Sequence, residues 1–175
     1  LKIVAVAAYS GDPPTELVAK ATKFINTLAS KCGENIVLAF GGYWGLMKVM
    51  VDEAIKLGMK VLIFPPIERE EWVFPGEAIV VKTGTGFRLR SVALVRTGDV
   101  LVAMGGGAGT IQEIVTAYAE GKDIFLLTPT GLASDRIASL APYIDERRLA
   151  RLKIFSDPVQ MGEEVCRCLC KGSKP

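Results

Sequence analysis

The chain is predicted to be an α/β protein, a three-layer sandwich with helices on both faces of a mainly parallel sheet. Three observations predict it: short apolar runs without polar alternation, amphipathic stretches between them, and 18 glycines gathered largely in clusters where one passes into the other. Runs without alternation suit strands buried on both faces. Strand and helix in steady succession imply right-handed crossovers in a doubly wound sheet. At 175 residues, 50% of them apolar, the sequence is expected to form one domain over residues 1–175.

Residues 2–8 are a largely apolar run closed by Tyr9-Ser10-Gly11-Asp12-Pro13-Pro14, so a central first strand is expected. Leu17, Ala21, Phe24, Ile25 and Leu28 then recur at helical spacing over 15–31, with proline before and Gly33 after. A strand over 35–40, a loop at Gly41-Gly42, a helix over 45–57 closed by Gly58 and a strand over 60–64 follow. Residues 65–76 mix charge, proline and aromatic groups without a period and read as a surface loop bordering a pocket or interface. Beyond it come a short strand over 78–81, a helix over 87–97, a strand over 99–104, a helix over 110–120 and a strand over 123–127. A looser helical stretch, a strand over 153–155 and a final helix complete a Rossmann-like pattern.

Lysine and arginine outnumber aspartate and glutamate by two, so no long-range positive field gathers nucleic acid, and any anion is bound locally. The longest apolar runs fall far short of the ~20 residues needed to cross a bilayer. The apolar start reads as a buried strand and not as a secretory segment. Four cysteines, with Cys32 alone and Cys166, Cys168 and Cys170 crowded together, do not make a disulfide framework and fit a cytoplasmic protein. The cysteine triplet could bind metal, but the chain has no histidine, and one-residue spacing on a helix aims neighbours apart. No metal site is expected there.

Two loops share one design, an apolar strand, then glycines, then a helix: Phe40-Gly41-Gly42-Tyr43-Trp44-Gly45-Leu46-Met47 and Gly105-Gly106-Gly107-Ala108-Gly109-Thr110-Ile111-Gln112-Glu113. Glycine lets the backbone approach a ligand, and free N–H groups at a helix start attract phosphate. Gly41, Gly42, Gly45, Gly106, Gly107, Gly109 and Thr110 are therefore candidate phosphate-binding residues, with Ser10 and Gly11 beside them after the first strand. No GxGxxG opens the first helix and no GxxxxGK[ST] is present, which counts against dinucleotide-dependent hydride transfer and P-loop phosphoryl transfer. Tight turning alone would also explain a glycine cluster. Thr110 followed by Glu113 also spells a capping box. Glu113 could instead point into the pocket, where Arg90 could pair with it or with phosphate. Taken in isolation, Arg90 reads more simply as a solvated surface arginine. Trp44, Trp72 and Phe74 could serve a subunit interface or stack on a base.

Together the loops resemble the LOG-like superfamily (SLOG), labelled "possible lysine decarboxylase", whose signatures are GGGxxGLM and PGGxGTxxE. Stretches around Arg90 and Gly105 are closest to its nucleotide-binding branch, which includes the molybdenum-cofactor carrier. Gly105 replaces the family proline, Phe40 the first glycine, and Ser91 the lysine of an Arg-Lys pair. The resemblance implies catalytic roles for Arg90 and Glu113 in hydrolysing the N-glycosidic bond of a nucleoside 5'-monophosphate. Glu113 would stabilise charge at the sugar and Arg90 would orient the ligand. It also implies a homodimer or larger assembly. A carrier or sensor that holds a phosphorylated cofactor without turnover is the alternative, and a structural subunit with vestigial loops a third. No cofactor is required beyond a bound nucleotide or phosphate. The decarboxylase label lacks support, since no lysine stands in a recognisable pyridoxal-phosphate setting.

Overall fold

The structure, a computed structural model, describes residues 1–171. Seven strands form one parallel sheet: β1 (Lys2–Ala8), β2 (Ile36–Phe40), β3 (Lys60–Ile63), β4 (Ile79–Val80), β5 (Val100–Met104), β6 (Ile124–Leu127) and β7 (Leu152–Phe155), in the order β4-β3-β2-β1-β5-β6-β7. Four helices lie between strands, α1 (Thr15–Cys32), α2 (Gly45–Lys56), α3 (Phe87–Thr97) and α4 (Ala108–Ala119), and a fifth, α5 (Pro158–Lys171), follows β7. The expected α/β class and parallel sheet are thus present, and the looser stretch is a 3-10 segment at Ala133–Leu140. No helix among the described residues is long and apolar enough to cross a membrane.

Strand periodicity divides the core in two. Val4, Val6, Leu38, Phe40, Val102 and Met104 point to one face, where they pack with buried residues of α1, α2 and α5. Ala5, Ala7, Ala39, Leu101 and Ala103 point to the other, against Leu94 and Val95 of α3 and Ile114, Ala117 and Tyr118 of α4. Alternation of Cβ along a strand puts the bulkier set on one side and an alanine-rich set on the other, which leaves room for α3 and α4 to sit close to the sheet.

One expectation holds and one needs correction. Gly33 stands just past the end of α1, as expected, with φ −55°, and the chain runs on into a 3-10 turn, Gly33–Asn35. Cys32 is not alone, because α1 and α5 pack side by side and join it to Cys166 in a disulfide. A sequence separation of 134 hides the pairing from any reading of local spacing.

Candidate functional site

The strand order reverses between β1 and β5: successive elements run outward from β1 in one direction and from β5 in the other. Open parallel sheets leave a crevice at such a switch point, beyond the carboxyl ends of the strands. A cavity of about 400 Å3 occupies that place, lined by Ala8 at the end of β1 and Ser10 after it, by residues 106–110 after β5, and by Trp44, Arg69, Arg88, Arg90 and Glu113.

Helix α4 begins at Ala108, two residues earlier than expected. Gly107 is its N-cap residue and no side chain caps it, so the capping box that Thr110 and Glu113 could have formed does not exist. Thr110 instead donates from Oγ1 to the Gly105 carbonyl, at 3.3 Å. Gly106 has φ +142°, and a Cβ there would stand 2.0 Å from Thr110 Oγ1, so glycine is needed both for the turn and for that contact. A Cβ on Gly107 would meet nothing within 4 Å, and one on Gly109 would stand 3.8 Å from Arg88 Nη1. The positive end of a 12-residue helix therefore opens into the cavity beside a guanidinium.

Helices α3 and α4 pack on the same sheet face, α3 through Arg90, Ser91, Leu94 and Val95, and α4 through Thr110, Glu113, Ile114, Ala117 and Tyr118. The polar members of both stripes fall at the cavity end. Arg90 and Glu113 are 6% and 7% exposed, with Arg90 Nη1 3.6 Å from Glu113 Oε1, so the solvated-arginine reading of Arg90 is wrong. Ser91, where the family motif has lysine, donates to Glu113 Oε1 at 2.8 Å. Burial pushes the Glu113 carboxyl above the usual carboxylate range, against the pull of Arg90 and of the Ser91 hydroxyl. Burial also lowers the Arg90 guanidinium, which Glu113 partly offsets. Arg90 Nε is buried without a hydrogen-bond partner.

Ser10, Arg90, Gly106, Gly107, Gly109, Thr110 and Glu113 line one cavity, whereas Gly11, Gly41, Gly42 and Gly45 are not among its lining residues. Each of these four accommodates a neighbour. A Cβ on Gly41 would lie 1.8 Å from Arg90 Nη1, one on Gly42 2.1 Å from the Trp44 ring, and one on Gly11 2.4 Å from Tyr9 Oη. Gly45, at φ +56°, lets α2 start against the β1–α1 loop, where its Cβ would meet the Ser10 backbone at 2.6 Å.

Sequence reasoning missed Arg69 and Arg88. Arg69 follows the loop after β3, and its guanidinium carbon lies 4.1 Å from the Trp44 ring centroid and 4.5 Å from that of Trp72. The aperiodic loop signalled a pocket border but not which charge would face it. Trp44 and Trp72 meet edge to face at 5.6 Å, while Phe74 lines a separate shallow cleft with Tyr43, Ile55 and Pro75.

The chain is similar over nearly its full length to the X-ray structure of TM1055, at 31% identity and TM-score 0.82, covering 98% of this chain and 99% of that one. An uncharacterized protein of Archaeoglobus fulgidus is 35% identical over 108 residues, 58% of this chain and 70% of the relative. The fold is shared with the molybdenum cofactor binding protein of Rippkaea orientalis (23% identity, TM-score 0.77, 97% of each chain). It is also shared with the Moco carrier protein of Chlamydomonas reinhardtii (20% identity, TM-score 0.73, 97% of this chain and 98% of that one). The model of the SLOG cluster4 family matches residues 2–154, and the chain belongs to that family.

Proposed function

We propose that this protein binds and holds a phosphorylated, nucleotide-like small molecule. The observation that carries the reading is the uncapped N-terminus of α4 opening into a cavity lined by Arg69, Arg88 and Arg90. Helix-end amides and guanidinium groups are complementary to a phosphoryl group, and the glycines at 106, 107 and 109 let its oxygens reach the backbone. In this reading the phosphate rests on Gly106, Gly107, Gly109 and Thr110, Arg90 orients the ligand, and Glu113 and Ser91 hold Arg90 in place. Proteins of the same fold that are named as binding or carrying the molybdenum cofactor support holding over turnover. So does Glu113, whose carboxylate is occupied by Ser91 and Arg90.

Hydrolysis of a nucleoside 5'-monophosphate is the second reading, and one observation favours it: Glu113 lines the cavity beside Arg90, and burial pushes its carboxyl above the usual range, the direction a proton-donating carboxyl needs. Calorimetric titration of the full chain with AMP and with inorganic phosphate tests binding, and chromatography of the same mixtures tests turnover. Binding of AMP without release of adenine is the expected result. Release of adenine that Glu113→Gln abolishes would establish the hydrolase instead, and failure of both AMP and phosphate to bind would overturn both readings.

A further inference from the structure

Arg69 is the one arginine of the cavity held by aromatic rings on several sides. Its guanidinium carbon lies within 4.1 Å of the Trp44 centroid, 4.5 Å of Trp72 and 5.4 Å of Phe87. Trp44 is itself fixed, since its ring rests on Gly42 where no Cβ could fit. Ring faces attract a guanidinium without neutralising its charge or accepting conventional hydrogen bonds from all five of its N–H donors, so donors remain for an anionic acceptor. The acids that follow Arg69 are committed elsewhere: Glu70 accepts from the Gly84 amide at 2.7 Å, and Glu71 pairs with Lys82 at 2.7 Å. Among the described residues Arg69 forms no ion pair. It shares the cavity with Arg88, Arg90 and Glu113; Arg88 and Arg69 act to lower the Arg90 pKa, whereas Glu113, which pairs with Arg90, and Glu68 act to raise it.

Arg69 and Arg90 flank one ring, with guanidinium carbons 5.4 and 5.9 Å from the Phe87 centroid. Arg88 belongs to the helix end, beside Gly109. The cavity thus carries two sets of positive groups, the head of α4 with Arg88 and Arg69 in its aromatic corner. A ligand with one phosphoryl group satisfies the first and leaves the second bare.

We infer that the cavity takes a ligand with two anionic groups, one phosphoryl group at the head of α4 and a second anionic group on the N–H donors of Arg69. The inference rests on the phosphate-binding reading above and names the ligand class for the same site. The second anion can be adjacent to the first, as in a diphosphate, or at the far end of the ligand, as in a nucleoside 3',5'-bisphosphate.

Calorimetric titration of the full chain with AMP, ADP and adenosine 3',5'-bisphosphate separates these cases. ADP or the bisphosphate is expected to bind at least about tenfold tighter than AMP, the worth of one charge-assisted contact. Arg69→Gln is expected to bring that ratio to about one, and Arg69→Lys, which keeps the charge, to retain part of it, with thermal melts confirming that both variants fold. Whichever probe gains places the second anion. AMP binding with no gain for either probe, or a gain that survives Arg69→Gln, overturns the inference and leaves the phosphate-binding reading intact. Failure of all three probes to bind overturns both.

Discussion

Arg90 lies across Gly41 so closely that a methyl group on Gly41 would fall 1.8 Å from its Nη1. Gly41 thus acts on the site through an arginine and not by lining the cavity itself, and Gly41→Ala must push the guanidinium away. Overpacking of this kind costs about 1–3 kcal/mol. The variant is expected to melt lower and to bind AMP more weakly, measured by thermal denaturation and calorimetry; unchanged AMP affinity would show that the position of Arg90 does not matter to the ligand.

Gly106 and Gly107 should separate folding from binding. Gly106→Ala forces a side chain into φ +142° and against Thr110, so loss of stability by about 1–3 kcal/mol is expected. Gly107 has φ −106° and open space where its Cβ would be, so Gly107→Ala should fold with an unchanged melting temperature. The added methyl sits among the cavity-lining residues at the helix head and should weaken AMP binding. Equal AMP affinity in Gly107→Ala and the parent would place the phosphate elsewhere.

The buried Arg90–Glu113 pair makes a prediction about pH. Removing one partner of a buried pair costs about 3–5 kcal/mol, because the remaining charge is left uncompensated. Arg90→Met removes the largest influence that lowers the Glu113 pKa and leaves burial to raise it further. A carboxyl whose folded pKa lies above its unfolded value contributes stability that is full below the unfolded value and is lost as pH rises through the folded one. The deficit of Arg90→Met against the parent should therefore be largest at pH 7–8 and shrink toward pH 5, read from urea unfolding across that range. A deficit independent of pH would mean that lost packing, and not the stranded carboxylate, is its cause.

Much of this architecture is legible in the sequence, and the illegible parts share a cause. Continuous apolar runs such as 100–104, and the span of α3 at Phe87–Thr97, match expectation because burial on both faces and local helix signals are written in consecutive residues. Arg88, Arg90 and Arg96 look alike along α3, and Arg90 is buried because Gly41 and Glu113, from distant segments, make room and supply charge. The α4 start was misplaced because Thr110 resembles a cap, whereas the chain uses Gly107 and turns the threonine back to Gly105. Arg69 faces the cavity because Trp44 and Trp72 meet there, which no periodicity encodes.

The Cys32–Cys166 disulfide makes the final prediction. It ties the end of α1 to α5 at the amino-terminal side of the sheet, since Cys32 precedes β2, whereas the cavity lies beyond the carboxyl ends of β1 and β5. Closing a loop of 134 residues restricts the unfolded chain, and loss of a native disulfide typically costs about 2–5 kcal/mol. Cys166→Ser should lower the urea midpoint by a corresponding amount, and a reductant should lower that of the parent toward the same value while leaving the variant unmoved. AMP affinity should be the same in both proteins at temperatures where both are folded, because the cross-link and the cavity lie at opposite ends of the strands. A fall in AMP affinity on reduction would show that the packing of α1 against α5 reaches the β1–α1 loop and the Ser10 side of the site.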